Sequence, residues 1–371
     1  FRTSYEKRGE DNKLKEYYLY PLSKEYLPNY RNVIKNYLED TITTGNHILL
    51  DLIHKITLDL LYLLHFGVKA SEKDYEECIY FIDAVRHYYY GDIYNEHVIR
   101  QILNLKHFHR RHIDYIEELG IRENCIVGLW LKQGNLNKEQ IFIEFIHNIL
   151  GVSINWSNLT YTYLLKLTNN KVSRIPDKEE SNDSNMERQK YIYECFRFIC
   201  PATIIGSSLK DPSMWGLKKG KYQIVHDLKY ITRLKEFFGE DAGKFNPQRF
   251  DKYHDNISTE NTNNGESGNN GESANKGESG NNEGGKCPFY NSKKGAKVPC
   301  GLNVNEKKGY VPFGEGYRRC PGEFLSMIFM EEFADIIKYK DFTISLKDNK
   351  SVRYRYIWDF IEGNYEITIR N

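Results

Sequence analysis

The residues best equipped for chemistry lie in one short run, Phe313-Gly314-Glu315-Gly316-Tyr317-Arg318-Arg319-Cys320-Pro321-Gly322. Gly314 and Gly316 let the backbone take positive φ and come close to a flat ligand, and Gly322 lets the next helix start hard against it. A backbone shaped in this way wraps a sulfur. N–H donors of the turn and of the following helix start lower a thiol's pKa, so Cys320 is suited to bind a metal as thiolate. Arg318 is placed to pair with an acidic edge of the same ligand. The bland alternative is a glycine turn with an incidental buried cysteine, but Phe, two Gly, Arg, Cys and Gly at these offsets favour the ligand.

On these residues the run resembles the heme-binding signature of the cytochrome P-450 superfamily, with every fixed position matched and Pro321 an accepted variant. The resemblance implies a heme b whose iron takes the Cys320 thiolate as metal ligand, cradled by Phe313, Gly314, Gly316, Arg318 and Gly322. Two further motifs agree. Glu194-Cys195-Phe196-Arg197, followed by Pro201, is similar to the family's Glu-x-x-Arg helix, and Phe245-Asn246-Pro247-Gln248-Arg249-Phe250 to its aromatic-Pro-Arg meander. Together they imply a structural charge cluster of Glu194, Arg197 and Arg249 under the thiolate loop. By itself, Glu and Arg at i, i+3 is a commonplace surface pair worth roughly a few tenths of a kcal/mol. The helical half also resembles the family, through Leu58 to Gly67 and through Lys13 to Tyr30, while the leading helix and sheet of the family fold are not seen in the sequence.

The central helix departs from the family pattern. Its oxygen-activating motif ends in an acid and a threonine, whereas Leu150-Gly151-Val152-Ser153-Ile154-Asn155 keeps Gly151 but has Ser153 and Ile154 at those places. Without the acid and hydroxyl pair, proton delivery should be poor, and Ser153 or Asn155 could instead hold a water. Asn148-Ile149-Leu150-Gly151-Val152 resembles the Asn-x-x-Gly-Gly of the fatty-acid hydroperoxide branch, in which Asn148 would orient a peroxide. The family's early Trp and Arg for a propionate are missing, with Lys13 and Lys15 as replacements, and Lys210 is the nearest base after Pro201. The resemblance thus implies a monooxygenase that acts on a hydrophobic small molecule or lipid with an NADPH-dependent reductase or ferredoxin. The alternatives are a reductase-independent peroxygenase or hydroperoxide isomerase or dehydratase, and a truncated non-catalytic relative.

The elements that must position these residues are mainly helical. From Asn12 to about Leu167, Leu, Ile and Tyr recur at helical spacing, with a core helix from Asn46 to Phe66 closed by Gly67 and a long apolar helix from Glu139 to Lys166. Met186 to Ile199 and Glu323 to Lys340 are further helices, and Val352 to Arg370 alternates as short strands. The expected fold class is mainly α with a small β region, a cytochrome P-450-like fold lacking its N-terminal part, with residues 1–371 as one catalytic domain. Residues 252–299 form an insertion, whose hexamer repeat between Asn263 and Gly285 has no apolar side chain to bury and is expected to be disordered.

Composition narrows the partners. Fifty-two basic residues balance fifty-one acidic ones, so no field draws in nucleic acid. Seven cysteines make neither an even disulfide framework nor a zinc pattern, which fits an intracellular, reducing compartment. No apolar run reaches the roughly 18–20 residues of a membrane span. The chain opens at Phe1-Arg2-Thr3 without Met, and an upstream segment carrying a membrane anchor is compatible with the sequence. His107-Phe108-His109-Arg110-Arg111-His112 reads as a basic solvated helix in preference to a metal site, and Tyr88-Tyr89-Tyr90 as packing.

Overall fold

Pro28 lacks the N–H that a first helical turn leaves unused, and it opens α1 (Leu27–Thr41), which buries the stripe Leu27, Tyr30, Ile34, Tyr37 and Leu38. The core helix expected from Asn46 is divided: Gly45–Ile48 is strand β1, and α2 spans Leu49–Phe66 up to the left-handed Gly67. The ladder explains the division, because Gly45 to Ile48 pair with Ile369 to Glu366 at the far end of the chain, beyond any local pattern. α3 (Glu96–Glu118), α4 (Ile126–Gln133) and α5 (Lys138–Asn148) follow, the last opened by a capping box between Asn137 and Gln140.

The long helix expected over Glu139 to Lys166 is likewise interrupted. A π-helical turn, Ile149–Ser153, separates α5 from α6 (Ile154–Asn169). Then come α7 (Asn182–Ile199), the hairpin strands β2 (Ile204–Ser208) and β3 (Gln223–Asp227), the single turns α8 (Leu228–Ile231) and α9 (Lys235–Phe238), and a 3-10 segment, Pro247–Tyr253. α10 (Glu323–Lys338), β4 (Asp341–Asp348) and β5 (Asn364–Arg370) complete the elements. One antiparallel sheet has the order β1-β5-β4, and β2 pairs with β3.

This computed structural model describes residues 20–78, 81, 96–118, 124–169, 182–200, 204–208, 223–253, 309–314, 320–348 and 364–370. Lys13, Lys15, Tyr88 to Tyr90, Lys210, Gly316, Arg318 and the repeat lie outside them. Among the described residues, no helix is long and apolar enough to cross a membrane. The chain divides into two compact units, residues 1–175 with 321–371, and residues 176–320.

In the first unit, α6 is fixed on α10 by Trp156, whose ring stacks on Phe329 at 4.2 Å and whose indole N–H donates to Ser326 Oγ at 3.0 Å. Arg31 ties α1 to the same helix through Glu331, at 2.6 Å, and Glu332. The histidine-rich stretch of α3 is solvated on one face only: Lys106, His107 and Arg110 are exposed, while Phe108 and His112 are buried. His112 Nδ1–H donates to the Phe108 carbonyl at 2.7 Å, and the Tyr62 hydroxyl donates to Nε2 at 2.5 Å. His109 is exposed and pairs with Glu139 at 2.7 Å.

Candidate functional site

Two i, i+3 pairs on α7 organise the second unit. Tyr193 and Phe196 face the segment that leads into the cysteine loop, while Glu194 and Arg197 face the segment 232–249. The Tyr310 hydroxyl donates to the Tyr193 carbonyl at 3.3 Å, and the Tyr310 ring meets Phe250 edge-on at 5.7 Å. Phe313 packs on Phe196, with centroids 4.8 Å apart. Val311 joins Cys200 and Leu228 in a small buried cluster. The loop is therefore held to one helix by its aromatic residues before it reaches the sulfur.

Two glycines are required in this segment. Gly309 has φ +83°, and a Cβ there would lie 2.6 Å from Cγ of Phe237. Gly314 has φ +72°, and its N–H donates to the Val311 carbonyl at 3.0 Å, which turns the chain just before the loop. Cys320 N–H then donates to the Phe313 carbonyl at 2.8 Å. This bond closes the loop at its neck and fixes the backbone of Cys320, while the residue itself is exposed. In sequence it stands two residues ahead of Gly322, the cap of α10, whose carbonyl accepts the first helical bond from Ser326.

Glu194 and Arg197 are fully buried and Arg249 nearly so, which an i, i+3 spacing by itself does not foretell. All five guanidinium N–H groups of Arg197 are matched. Nε–H goes to Glu194 Oε2 at 2.6 Å, and Nη2 to Glu194 Oε1 at 2.7 Å and the Lys244 carbonyl at 2.9 Å. Nη1 goes to the carbonyls of Thr232 and Ala242, at 2.7 and 2.8 Å. Glu194 Oε1 also accepts from Asn246 N at 2.7 Å and from Arg249 Nε at 3.1 Å. Arg249 reaches the Phe238 carbonyl and Asp241, whose carboxyl is held below its usual range by the Asn246 amide and by Arg249. Asn246 and Asp241 were not foreseen as members; Asn246 lay inside the meander motif, and Asp241 carried no signal of its own.

The candidate residues of the central helix fall at the π turn. Ser153 is buried and donates its hydroxyl proton to the Ile149 carbonyl, so that proton holds the turn. Gly151 is exposed, with nothing within 4 Å of a Cβ built there, and Asn155 is half-buried. Asn148 Nδ2 lies 2.8 Å from Nε2 of His65, a partner that sequence reading left unmarked.

The residues present are compatible with a heme: Cys320 is exposed at the end of the glycine turn, and its sulfur could hold a heme iron. Cys200, by contrast, is buried, and burial pushes its thiol up to about 12, which makes it a packing residue.

No protein-family model matches the chain, and no curated protein matches it. Solved structures do. A six-coordinated cytochrome P-450 from Thermus thermophilus is similar over 95% of this chain and 78% of its own, with TM-score 0.56 and 15% identity. A cyanobacterial CYP120A1 with retinoic acid bound is similar over 96% of this chain and 77% of its own, with TM-score 0.62 and 13% identity. The mainly helical chain with its small antiparallel sheets has the cytochrome P-450 fold.

Proposed function

We propose that the chain is a heme-thiolate oxidoreductase, a cytochrome P-450 monooxygenase that acts on a hydrophobic small molecule or lipid with electrons from a reductase or ferredoxin. The observation that carries this reading is Cys320, exposed at the neck of a glycine-turned loop whose lead-in segment is anchored on the helix bearing the Glu194–Arg197–Arg249 cluster. Bound heme would supply the redox chemistry, accepting electrons and transferring an oxygen atom to the substrate. Cys320 would hold it through Sγ, and the Cys320 N–H bond to the Phe313 carbonyl fixes the backbone from which that sulfur projects. Phe313 and Gly314 would shape the wall of the cradle. The charge cluster takes no part in chemistry; it holds the polypeptide between Thr232 and Arg249 in register with α7.

A second reading, in which a peroxide replaces oxygen and reductase, is supported by the central helix. The Ser153 proton is committed to Ile149, and Ile154 follows, so the π turn offers no acid and hydroxyl pair for relaying protons. The deciding experiment starts with the spectrum of reduced, carbon monoxide-treated protein supplied with heme. Wild type should show the thiolate form and Cys320→Ala should lose it; an unchanged spectrum, or wild-type protein that stays colourless, ends the proposal. Turnover with NADPH and reductase is then compared with turnover of a fatty-acid hydroperoxide without electron donor, and the productive arm identifies the oxidant.

A further inference from the structure

Tyr62 on α2 and His112 on α3 make a buried pair that heme chemistry leaves unused. Both are shut off from solvent, and the His112 ring lies against Phe108 and Phe145, with centroids at 4.1 and 5.3 Å. Its Nδ1 lies 2.7 Å from the Phe108 carbonyl, an oxygen that can only accept, so the ring proton sits on Nδ1. Nε2 is then a bare lone pair, which the Tyr62 hydroxyl meets at 2.5 Å. Cys78 Sγ, 3.6 Å from the same oxygen, is no rival acceptor, because burial pushes its thiol up to about 12 and it stays protonated. Asp74 Oδ1 lies 3.9 Å from Nε2 and pairs with Arg111, which also holds Glu77. Two other buried tyrosines lack part of this arrangement. The Tyr30 hydroxyl has no hydrogen-bond partner among the described residues. Tyr37 donates to Asp59 at 2.6 Å but carries the Lys69 ammonium 5.1 Å from its ring centre, a charge that opposes loss of an electron.

We infer that Tyr62 and His112 form a proton-coupled electron-donor site, in which a diffusible one-electron oxidant takes an electron from the phenol as its proton passes to Nε2. The O–H bond breaks and an N–H bond forms; the products are a neutral Tyr62 phenoxyl radical, an imidazolium at His112 and the oxidant reduced by one electron. Burial binds the two transfers together. It raises the Tyr62 pKa well above the usual phenol value, so the proton does not leave first. An electron leaving alone would strand a cation on the phenol ring in the core. Moving both puts the positive charge on the imidazole, beside the Asp74 carboxylate. Burial holds the His112 pKa down at about 4, yet an oxidised phenol is a far stronger acid, so the transfer runs downhill. The electron leaves by ring contacts: Phe66 lies 5.7 Å from Tyr62 and 5.9 Å from Tyr115, which is half-buried and so partly open to solvent. The site stands whether or not the chain holds heme.

Photogenerated ruthenium(III) tris-bipyridine serves as the oxidant for the full chain, and electron paramagnetic resonance of freeze-quenched samples reads the radical that outlasts those on the exposed Tyr230 and Tyr339. Wild type should give a persistent tyrosyl signal. With 15N-labelled histidine, electron–nuclear double resonance should find one ring nitrogen and its proton coupled to that radical. A wild type without the persistent signal, or with no histidine coupling, overturns the inference, and neither reading needs a variant to fold. Tyr62→Phe should lose the signal and Tyr37→Phe should keep it. His112→Gln leaves an acceptor oxygen near the phenol but an amide too weakly basic to take the proton, so the radical should form about a hundredfold or more slower. A signal that survives Tyr62→Phe, disappears in Tyr37→Phe, or forms at the wild-type rate in His112→Gln overturns the site equally.

Discussion

Removing Arg197 separates a buried scaffold from a surface ion pair by about an order of magnitude in energy. The pair sits at i, i+3, and on an exposed helix face such a contact is worth about 0.2–0.5 kcal/mol. Here both side chains are at 0% exposure, and every N–H of the guanidinium is used. Arg197→Ala strands the Glu194 carboxylate with only Arg249 and the Asn246 N–H, and leaves the carbonyls of Thr232, Ala242 and Lys244 without that donor. Breaking a buried pair by removing one partner costs on the order of 3–5 kcal/mol. Set against a total stability of about 5–15 kcal/mol, the variant should unfold at a much lower denaturant concentration. Arg197→Lys should also lose most of the stabilisation, since an ammonium has three donors on a flexible stem in place of a planar fork of five. Because the cluster is shielded from solvent, raising the salt to about 1 M should leave the loss nearly unchanged. Guanidinium is itself a salt, so the assay is urea unfolding of wild type and both variants. A penalty below about 1 kcal/mol for Arg197→Ala would refute the buried-cluster argument, because it is what a solvated pair returns.

Two other perturbations follow from the same geometry. Gly309→Ala places a methyl group 2.6–2.9 Å from Cγ and Cβ of Phe237 at φ +83°, so it should cost about 1–3 kcal/mol in urea unfolding; Phe237→Ala in the same chain should relieve the contact with the ring but leave the close Cβ contact and the backbone strain. Stability should fall on acidification through His65 and His112, both held at about 4 by burial against an ordinary 6.5. With the folded values the lower ones, the unfolded chain binds more protons between them, so the contribution is full above about pH 6.5 and lost as pH falls toward 4. Each histidine should cost roughly 1.4 kcal/mol between pH 7.5 and 5.5 in urea titrations. The His65→Phe protein should show a shallower slope, and an unchanged slope would mean that His65 is solvated or already charged.

The turn at Gly314 and the aromatic anchor at Phe313 were legible because a glycine that permits a left-handed turn and the aromatic residue beside it are local signals; the ligand they are proposed to hold belongs to the functional reading. Glu194, Arg197 and Arg249 were legible as motif members only. The spacing of Glu194 and Arg197 is equally that of an exposed pair, and their complete burial follows from carbonyls 35 to 47 residues downstream that the side chains satisfy. Asn46 to Ile48 were read as the start of a helix because they run straight into the apolar periodicity of α2, and only the partner strand at the other end of the chain makes them β1.

By itself, the sequence determined where a sulfur can be presented and which stretches are helical, since backbone permissiveness and 3.6-residue periodicity are properties of adjacent residues. Tertiary structure alone decided which polar groups are buried and whom they face. The π turn at Ile149–Ser153, the pairing of Asn148 with His65 across 83 residues and the fully matched Arg197 all arise when distant segments must satisfy one another's donors and acceptors away from water.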